Sequence, residues 1–268
     1  MGVLNVTPDS FSDGGLYDTL ERAVARGLEM MAEGADVIDV GGESSRPGAE
    51  PVPVEAELAR VVPVVEALAR PAAARGVRVS VDTVKAEVAQ AAVSAGASLV
   101  NDISASLWEV AASSGAGWVA MHMQGRPGTM QDDPSYEDVV AEVRAFVLER
   151  AARARAAGVR EVWVDPGIGF GKTTGHNLSL LGQLPGLVAA AADAGCAGVL
   201  VGSSRKRFLG VLASQPEARR AHQAASVEER AEGSLATAAA AMVAGAGMVR
   251  VHDVAATVQV ARLYGPAA

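Results

Sequence analysis

The chain is poor in features that define whole classes of protein: it has one cysteine, three lysines and a net charge of −8 over 268 residues. A single cysteine excludes a disulfide scaffold and a cysteine-based zinc site. The most apolar stretch, residues 235–249, is shorter than the roughly 20 residues that a membrane-spanning helix needs. No signal peptide is evident, and the negative charge argues against a nucleic-acid surface. We therefore expect a cytoplasmic protein whose partners include no nucleic acid and no membrane.

Apolar residues, in contrast, are abundant: they make up 50% of the chain, and charged residues make up 20%. Disordered chains have the opposite composition, so this one can form a large core. Barrels of alternating strands and helices commonly form one domain of roughly 200–250 residues. Because no linker-like segment or change of composition interrupts the sequence, we expect a single domain over residues 1–268.

A local pattern recurs along the chain: a helical stretch ends at glycine, and an apolar run follows that ends in polar residues. The runs lack alternation, which is typical of strands that are buried on both faces. Eight such runs lie within residues 1–6, 33–43, 78–83, 95–104, 114–123, 157–167, 194–204 and 244–253. Helical patterns occupy residues 17–34, 54–69, 84–94, 136–157, 178–193, 229–244 and 254–264. Alternating strands and helices predict a parallel sheet, and eight units favour a (β/α)8 TIM barrel over a doubly wound open sheet.

In such a barrel the active site lies at the C-terminal ends of the strands. Nearly every predicted strand ends in a side chain that can form hydrogen bonds. These side chains are Asn5, Asp39, Asp82, Asn101, His122, Asp165, Ser203, Ser204, Arg250 and His252. Any one of them could be a turn residue or a helix cap, but their convergence on one rim favours a polar binding site.

Asp82, Asn101 and Asp165 are expected to face this rim from three strands. A carboxylate can accept two parallel hydrogen bonds from a ring N–H and a neighbouring exocyclic amine. Asparagine adds a donor and an acceptor. The set therefore suits a guanine-like or pterin-like heterocycle, although acids in this position could also hold Mg²⁺ or cap helices.

Cationic and hydroxyl side chains on the same rim suit a phosphate or diphosphate group. They are Ser45, Arg46, Lys172, Arg205, Lys206, Arg207, Arg250 and His252. The run Arg205–Arg207 could instead be a solvated helix start. Two loops rich in glycine and serine, residues 7–15 and 41–51, could close over the site or be plain surface loops. The four histidines lack metal-binding spacing, so a zinc site is not expected.

Nine motifs together resemble the dihydropteroate synthase family, of the pterin-binding TIM barrels, along essentially the whole chain. They are MGVLNVTPDSFSDGG (1–15), DVGGESSRPG (39–48), VSVDT (79–83), VNDIS (100–104), MHMQGRPGTMQ (121–131), DPGIGFGK (165–172), SSRKRFLG (203–210), GSLA (233–236) and RVHDV (250–254). The resemblance implies a transferase of folate biosynthesis. It would condense 6-hydroxymethyl-7,8-dihydropterin diphosphate with 4-aminobenzoate to 7,8-dihydropteroate, releasing diphosphate. It also implies Mg²⁺, a homodimer and inhibition by sulfonamides.

The resemblance assigns roles to residues of this chain. The residues that match the pterin pocket are Asp82, Asn101, Ile103, Met121, Asp165, Gly202 and Lys206. Those that match the diphosphate region are Asn5, Ser45, Arg46, Arg250 and His252, and Asn5 is also the implied Mg²⁺ ligand. Those that match the aminobenzoate region are Phe11, Ser45, Arg46, Pro47, Phe170 and Ser204. The implied catalytic residues are Asp13, Arg46 and Lys206.

The implied reaction is dissociative and resembles an SN1 substitution. The pterin methylene becomes cationic as diphosphate leaves, Asp13 stabilises that cation, and the aminobenzoate amine attacks. Two departures from the family pattern stand out: Ser45 replaces a usual threonine, and Arg207 replaces a small hydroxyl residue of some members. Two alternatives are a methyltetrahydrofolate-binding methyltransferase and a non-catalytic pterin-binding homologue. Arg250, His252 and both long loops argue against the methyltransferase, because methyl transfer has no diphosphate to hold.

Overall fold

A computed structural model describes residues 1–7, 16–44, 49–214 and 224–264. Its eight strands are parallel and follow one another around the sheet in chain order. They are β1 (Gly2–Asn5), β2 (Val37–Gly41), β3 (Arg78–Asp82), β4 (Leu99–Asp102), β5 (Gly117–Met121), β6 (Val162–Asp165), β7 (Gly198–Val201) and β8 (Met248–Val249). Each lies within one of the eight predicted runs, so the strand predictions are confirmed.

Hydrogen bonds between the first strand and the segment after the last strand close the sheet. The amide of Val3 donates to the carbonyl oxygen of Val251 at 2.9 Å. The amide of Val251 donates to the carbonyl oxygen of Met1 at 2.9 Å. An open doubly wound sheet would instead leave β1 inside the sheet with a reversed strand order. The TIM-barrel prediction is therefore confirmed.

Ten α-helices cover the barrel in the described part of the chain. They are α1 (Leu16–Glu33), α2 (Val54–Ala73), α3 (Ala86–Ser94), α4 (Trp108–Ser114), α5 (Val139–Ala156), α6 (Thr174–Gly182), α7 (Leu184–Asp193), α8 (Arg207–Ala213), α9 (Ala231–Val243) and α10 (Val254–Tyr264). Within the described ranges, no helix combines the length and the apolar character that crossing a membrane requires.

The helix predictions differ from the structure in three places. The single helix predicted over residues 178–193 is two helices, α6 and α7, and Pro185 stands in the first turn of α7. Proline is favoured there because it has no N–H to leave unpaired. The short helices α4 and α8 had no predicted counterpart, since seven residues give too little periodicity to recognise.

The core has two layers that position the site. One cluster, Met1, Val37, Leu99, Val119 and Leu200, fills the lower end of the barrel, near the starts of the strands. A larger cluster joins the strands to the helices that pack around them. Because the strands are rigidly packed on both sides, the residues at their C-terminal ends are held at fixed positions on the upper rim.

Candidate active site

Strand register brings the predicted rim residues side by side. Asn5 lies opposite Gly41, Gly41 lies opposite Asp82, and Asp82 lies opposite Asn101. On the other side of the barrel Met121 lies opposite Asp165. The structure therefore brings the ends of six neighbouring strands to one end of the barrel, and four of them carry predicted polar side chains there: Asn5, Asp82, Asn101 and Asp165.

Arg250 bonds to two of these strands and is linked to a third through Asp39. Its Nε donates to Oδ2 of Asp39 at 2.6 Å, and its Nη2 donates to Oδ2 of Asp82 at 2.7 Å. The same Oδ2 of Asp39 accepts a hydrogen bond from Nδ2 of Asn101 at 2.9 Å. A guanidinium from the segment after β8 is thus held by carboxylates of β2 and β3, beside an amide of β4.

Asp82 and Asp165 are carboxyls in a poorly hydrated mouth. Burial raises the pKa of Asp82 to about 7, although Arg250 opposes the shift. Burial also raises the pKa of Asp165 to about 6, against the opposing effects of a hydrogen bond from Gly167 and the charge of Lys206. The amide of Gly167 donates to Oδ1 of Asp165 at 2.7 Å. That bond fixes the carboxyl plane in which a ligand's two donors would lie.

An apolar wall completes the mouth of the barrel. Ile103, Met121, Met130 and Phe170 form a separate cluster of buried residues. The Nζ of Lys206 lies 3.8 Å from the centroid of the Phe170 ring, within the range of a cation–π contact. Burial lowers the pKa of Lys206 to about 8. An apolar wall beside carboxyls is the combination that a flat polar heterocycle requires.

Gly202 leaves room beside the acids. A Cβ at this position would lie 3.7 Å from Cβ of Arg250 and 3.9 Å from Oδ2 of Asp165. Those are ordinary contact distances, so a side chain there would fill the space next to both groups. The glycine thus keeps this part of the mouth open.

His252 and Ser204 form a second polar group next to Arg250. Oγ of Ser204 lies 3.0 Å from Nδ1 of His252 and accepts a bond from its backbone amide at 3.2 Å. Burial, together with the charge of Arg250, lowers the pKa of His252 to about 3. The imidazole is therefore neutral at pH 7 and can donate or accept a hydrogen bond.

Two of the predicted phosphate-binding cations have other partners. Arg205 donates to both carboxylate oxygens of Asp253, at 2.5 and 3.2 Å. Lys172 is buried, and its Nζ donates to the carbonyl oxygens of Gly167 and Phe170 at 2.9 Å each and to Nδ1 of His122 at 3.0 Å. The interpretation of Lys172 as a phosphate-binding residue is wrong, because all three of its N–H donors are used within the protein.

Lys172 instead fixes the segment between β6 and α6, residues 166–173. This segment carries Phe170 and the Gly167 amide that binds Asp165. Further bonds hold it from outside: Oδ1 of Asn177 accepts from the amide of Gly169 at 2.7 Å, and the hydroxyl of Tyr136 donates to the carbonyl of Gly171 at 2.8 Å. The dense glycines of DPGIGFGK are the signal in the sequence for this tight segment.

Five of the predicted site residues lie outside the described residues: Phe11, Asp13, Ser45, Arg46 and Pro47. The base of the second loop is described. Arg60 donates to the carbonyl of Gly42 at 2.9 Å, and Lys85 pairs with both Glu43 and the buried Glu57. These contacts fix the point from which the second loop departs.

The residues present fit a magnesium ion. Oδ1 of Asn5 and Oδ2 of Asp82 each lie 3.7 Å from the point where a side chain on Gly41 would begin. Of these two oxygens, Oδ2 of Asp82 already accepts a hydrogen bond from Arg250, which leaves Oδ1 of Asn5 as the oxygen available to the ion. Mg²⁺ prefers oxygen ligands and commonly takes only one or two from the protein, with phosphates and water supplying the rest. Asn5, the predicted ligand, is suitably placed for this role.

The family model for pterin binding enzymes matches residues 1–252. The dihydropteroate synthase of Escherichia coli (strain K12) is 45% identical over 269 residues, which cover 98% of this chain and 89% of that protein. A solved dihydropteroate synthase of Xanthomonas albilineans with 4-aminobenzoic acid is 46% identical, with a TM-score of 0.85, over 98% of this chain and 90% of that one. The same enzyme in complex with 7,8-dihydropteroate has a TM-score of 0.80 at 43% identity, over 98% and 91% of the two chains.

Proposed function

The chain belongs to the pterin-binding enzymes and, within them, to the dihydropteroate synthases, and from this premise we propose how it carries out the synthase reaction. The reaction condenses 6-hydroxymethyl-7,8-dihydropterin diphosphate with 4-aminobenzoate and yields 7,8-dihydropteroate and diphosphate. One observation carries the proposal: Asp82 and Asn101 lie side by side with Arg250, Asp165 lies beside Arg250 at Gly202, and an apolar wall is adjacent. Heterocycle-binding and diphosphate-binding groups are thus adjacent.

The carboxyls and the amide bind the pterin ring in this proposal. Asp165, whose plane is fixed by Gly167, accepts two parallel hydrogen bonds from the ring N–H and the exocyclic amine. Asp82 and Asn101 contact the remaining polar edge. Ile103, Met121 and Gly202 surround the ring, and Lys206 lies over the adjacent Phe170. The apolar wall excludes water, which strengthens each of these hydrogen bonds.

Arg250 and the neutral His252 bind the diphosphate, with Ser45 and Arg46 of the second loop. Arg250 already has two N–H groups on carboxylates, and its other donors remain for phosphate oxygens. Asn5 would hold Mg²⁺ together with the diphosphate. When bound, this ion would supply positive charge that stabilises the leaving group.

The substitution then proceeds without a protein nucleophile. The bond between the pterin methylene carbon and the diphosphate oxygen breaks, and its electron pair leaves with diphosphate. The amine nitrogen of 4-aminobenzoate bonds to the methylene carbon and afterwards loses one proton to solvent. Asp13 stabilises the cationic methylene, and Arg46 and Lys206 act on the developing charges. Phe11, Pro47, Phe170 and Ser204 line the aminobenzoate position.

The direct test is product formation by the purified chain from the pterin diphosphate and 4-aminobenzoate, with and without Mg²⁺. We expect dihydropteroate only with Mg²⁺, and at least a 100-fold lower rate for Asp165→Asn. Asp193→Asn is the matched control: the same change at an exposed residue at the end of α7, where it should leave the rate unchanged.

The two alternative functions give different results in the same assay. Pterin binding without turnover would indicate a non-catalytic homologue. Methyl transfer from methyltetrahydrofolate in the absence of synthase activity would indicate a methyltransferase. Either result would overturn the proposal.

We also propose that the chain is one domain over residues 1–268, acts in the cytoplasm and forms a homodimer. The family resemblance implies the dimer, and Leu178 of α6 and Val243 of α9 are exposed apolar side chains available to an interface. Sedimentation velocity should give twice the mass of the 27.2 kDa chain. A monomer at micromolar concentration would contradict it.

A further inference from the structure

We infer that Asp39 is a positioning residue that fixes both Asn101 and Arg250 for substrate binding. This inference rests on the proposed function, because it concerns the residues that would hold the pterin and the diphosphate. Asp39 is the third residue of β2 and is completely buried. It therefore acts through its two neighbours and has no surface of its own for a ligand.

The first effect of Asp39 is on the amide of Asn101. An asparagine side chain can rotate by 180° and exchange its donor and acceptor ends at little cost. A carboxylate accepts hydrogen bonds and cannot donate them, so Oδ2 of Asp39 requires that Nδ2 of Asn101 faces it, at 2.9 Å. The carbonyl end of the amide is then directed away from Asp39. Asp39 thus determines which hydrogen-bonding pattern Asn101 presents to a heterocycle.

The second effect is on the guanidinium of Arg250. Nε donates to Asp39 at 2.6 Å and Nη2 donates to Asp82 at 2.7 Å. Two bonds from one planar group to two strands define its orientation as well as its position. Asp82 is expected to bind the pterin as well, so Asp39 is the partner of Arg250 that substrate binding leaves in place.

The unused oxygen of Asp39 shows that the carboxylate is costly to the fold. Among the described residues, Oδ1 of Asp39 and Oγ of Ser80 are both buried without a hydrogen-bond partner. These two residues lie opposite each other in the register of β2 and β3. A buried carboxylate with an unpaired oxygen lowers stability. The arrangement of Asn101 and Arg250 is the benefit that offsets this cost.

The test compares ligand binding in variants that remove Asp39 alone or together with its partners. Isothermal titration calorimetry would measure two probes: 6-hydroxymethylpterin, and inorganic diphosphate with MgCl2. In Asp39→Ala we expect both affinities to fall about 10-fold to 100-fold, the size of a lost charged hydrogen bond. In the Arg250→Ala background, Asp39→Ala should lower diphosphate affinity less than about threefold. Pterin affinity should not fall further once Asn101→Ala and Arg250→Ala are both present.

The dependence of the Asp39→Ala effect on Asn101 and Arg250 distinguishes a positioning role from a general effect on the fold. Equal losses with and without the partner residues, or no loss in Asp39→Ala, would overturn the inference. Ser80→Ala is the matched control, because it removes a buried polar atom at the same level of the barrel. It should change neither affinity more than about twofold. Losses in Ser80→Ala as large as those in Asp39→Ala would also overturn it.

A second variant covers the case in which Asp39→Ala does not fold. Asp39→Asn can keep one oxygen towards both Asn101 and Arg250, while it removes the charge and replaces the unpaired Oδ1 by an NH2 group. It should weaken both probes less than about 10-fold, and with the same coupling to Arg250→Ala. Failure of the wild-type chain to bind either probe would count against the proposed function, whereas binding with additive losses would count against the role of Asp39 alone.

Discussion

The behaviour of single residues in the site is governed by burial in the barrel mouth. Asp82 and Asp165 have raised pKa values, and Lys206 and His252 have lowered ones, all chiefly because the charged forms are poorly solvated there. Carboxyls that titrate between pH 6 and 7 make ligand binding sensitive to pH. The site is therefore expected to bind pterin best above this range.

Pterin binding should report the protonation of Asp165. Below a pKa of about 6 the carboxyl carries a proton and loses an acceptor that the proposed pterin contact requires. We expect the affinity of the wild type for 6-hydroxymethylpterin to fall as the pH is lowered from 8 to 5. Fluorescence titration would measure it.

Asp165→Asn supplies the control for this pH dependence. It should bind pterin at least 10-fold more weakly at pH 8, because an amide N–H meets one of the ligand's donors. It should also lose less affinity than the wild type between pH 7 and pH 5. Parallel pH profiles for the two proteins would assign the effect to another group, such as Asp82.

Among the elements, the segment between β6 and α6 depends most on tight backbone packing. Gly167 has a φ of +67°, and a Cβ there would overlap the carbonyl oxygen of His122. Lys172 closes the same segment with three hydrogen bonds. The segment is thus rigid, and it presents both the Gly167 amide and the Phe170 ring.

Gly167→Ala and Gly115→Ala form a matched pair. Gly115 also has a positive φ, +75°, but nothing lies within 4 Å of its hypothetical Cβ. Backbone strain alone predicts a loss of about 1 kcal/mol in the free energy of unfolding for Gly115→Ala. The added overlap predicts about 3 kcal/mol or more for Gly167→Ala. Urea unfolding would measure both, and equal losses would contradict the packing argument.

Lys172→Met tests the contacts that close this segment. The change keeps an apolar chain of similar length but leaves the carbonyl oxygens of Gly167 and Phe170 without their donor. We expect a loss of about 1–3 kcal/mol in the free energy of unfolding, again measured in urea. Lower affinity for 4-aminobenzoate should accompany it, since Phe170 would be less firmly held. An unchanged stability would show that water replaces the ammonium group.

The stability of the whole molecule combines opposing titrations. Burial lowers the pKa values of His122 and His252 to about 3, so between pH 3 and 6.5 the unfolded chain binds two protons that the folded chain does not. This contribution makes stability fall as the pH is lowered. Asp82 and Asp165 act in the opposite direction, because their raised pKa values let the folded chain bind protons first. The two effects partly cancel between pH 4 and 6.

His122→Asn should disturb this balance. Asparagine can offer an oxygen to Lys172 but does not titrate, so the contribution of His122 to acid sensitivity disappears while that of His252 remains. We expect the variant to have a lower free energy of unfolding than the wild type at pH 7. Between pH 6 and pH 4 the free energy of unfolding should fall less steeply in the variant than in the wild type, and the difference in slope should correspond to about one proton. Urea unfolding at several pH values measures this slope. A constant difference would mean that His122 is also protonated in the folded state.

Local sequence patterns determined the strands, the barrel fold and the types of residue on its rim. The apolar runs and glycine-terminated helices were sufficient to predict eight strands and the TIM barrel, because strand and helix patterns are local and parallel strands follow one another with right-handed crossovers. The same patterns predicted that Asp82, Asn101 and Asp165 share a rim, which the strand register confirms for Asp82 and Asn101. The family of the chain was also evident in its motifs.

Only the tertiary structure decided which partner each polar side chain takes. Lys172 follows a strand as Lys206 does, yet it is buried on backbone carbonyls while Lys206 lies over Phe170. Arg250 reaches Asp39 and Asp82, which are 211 and 168 residues away in the chain. Side-chain direction and burial depend on such distant neighbours, which the closed barrel brings together. The sequence by itself thus determined the frame and the types of group on its rim, and packing decided which partner each of these groups takes.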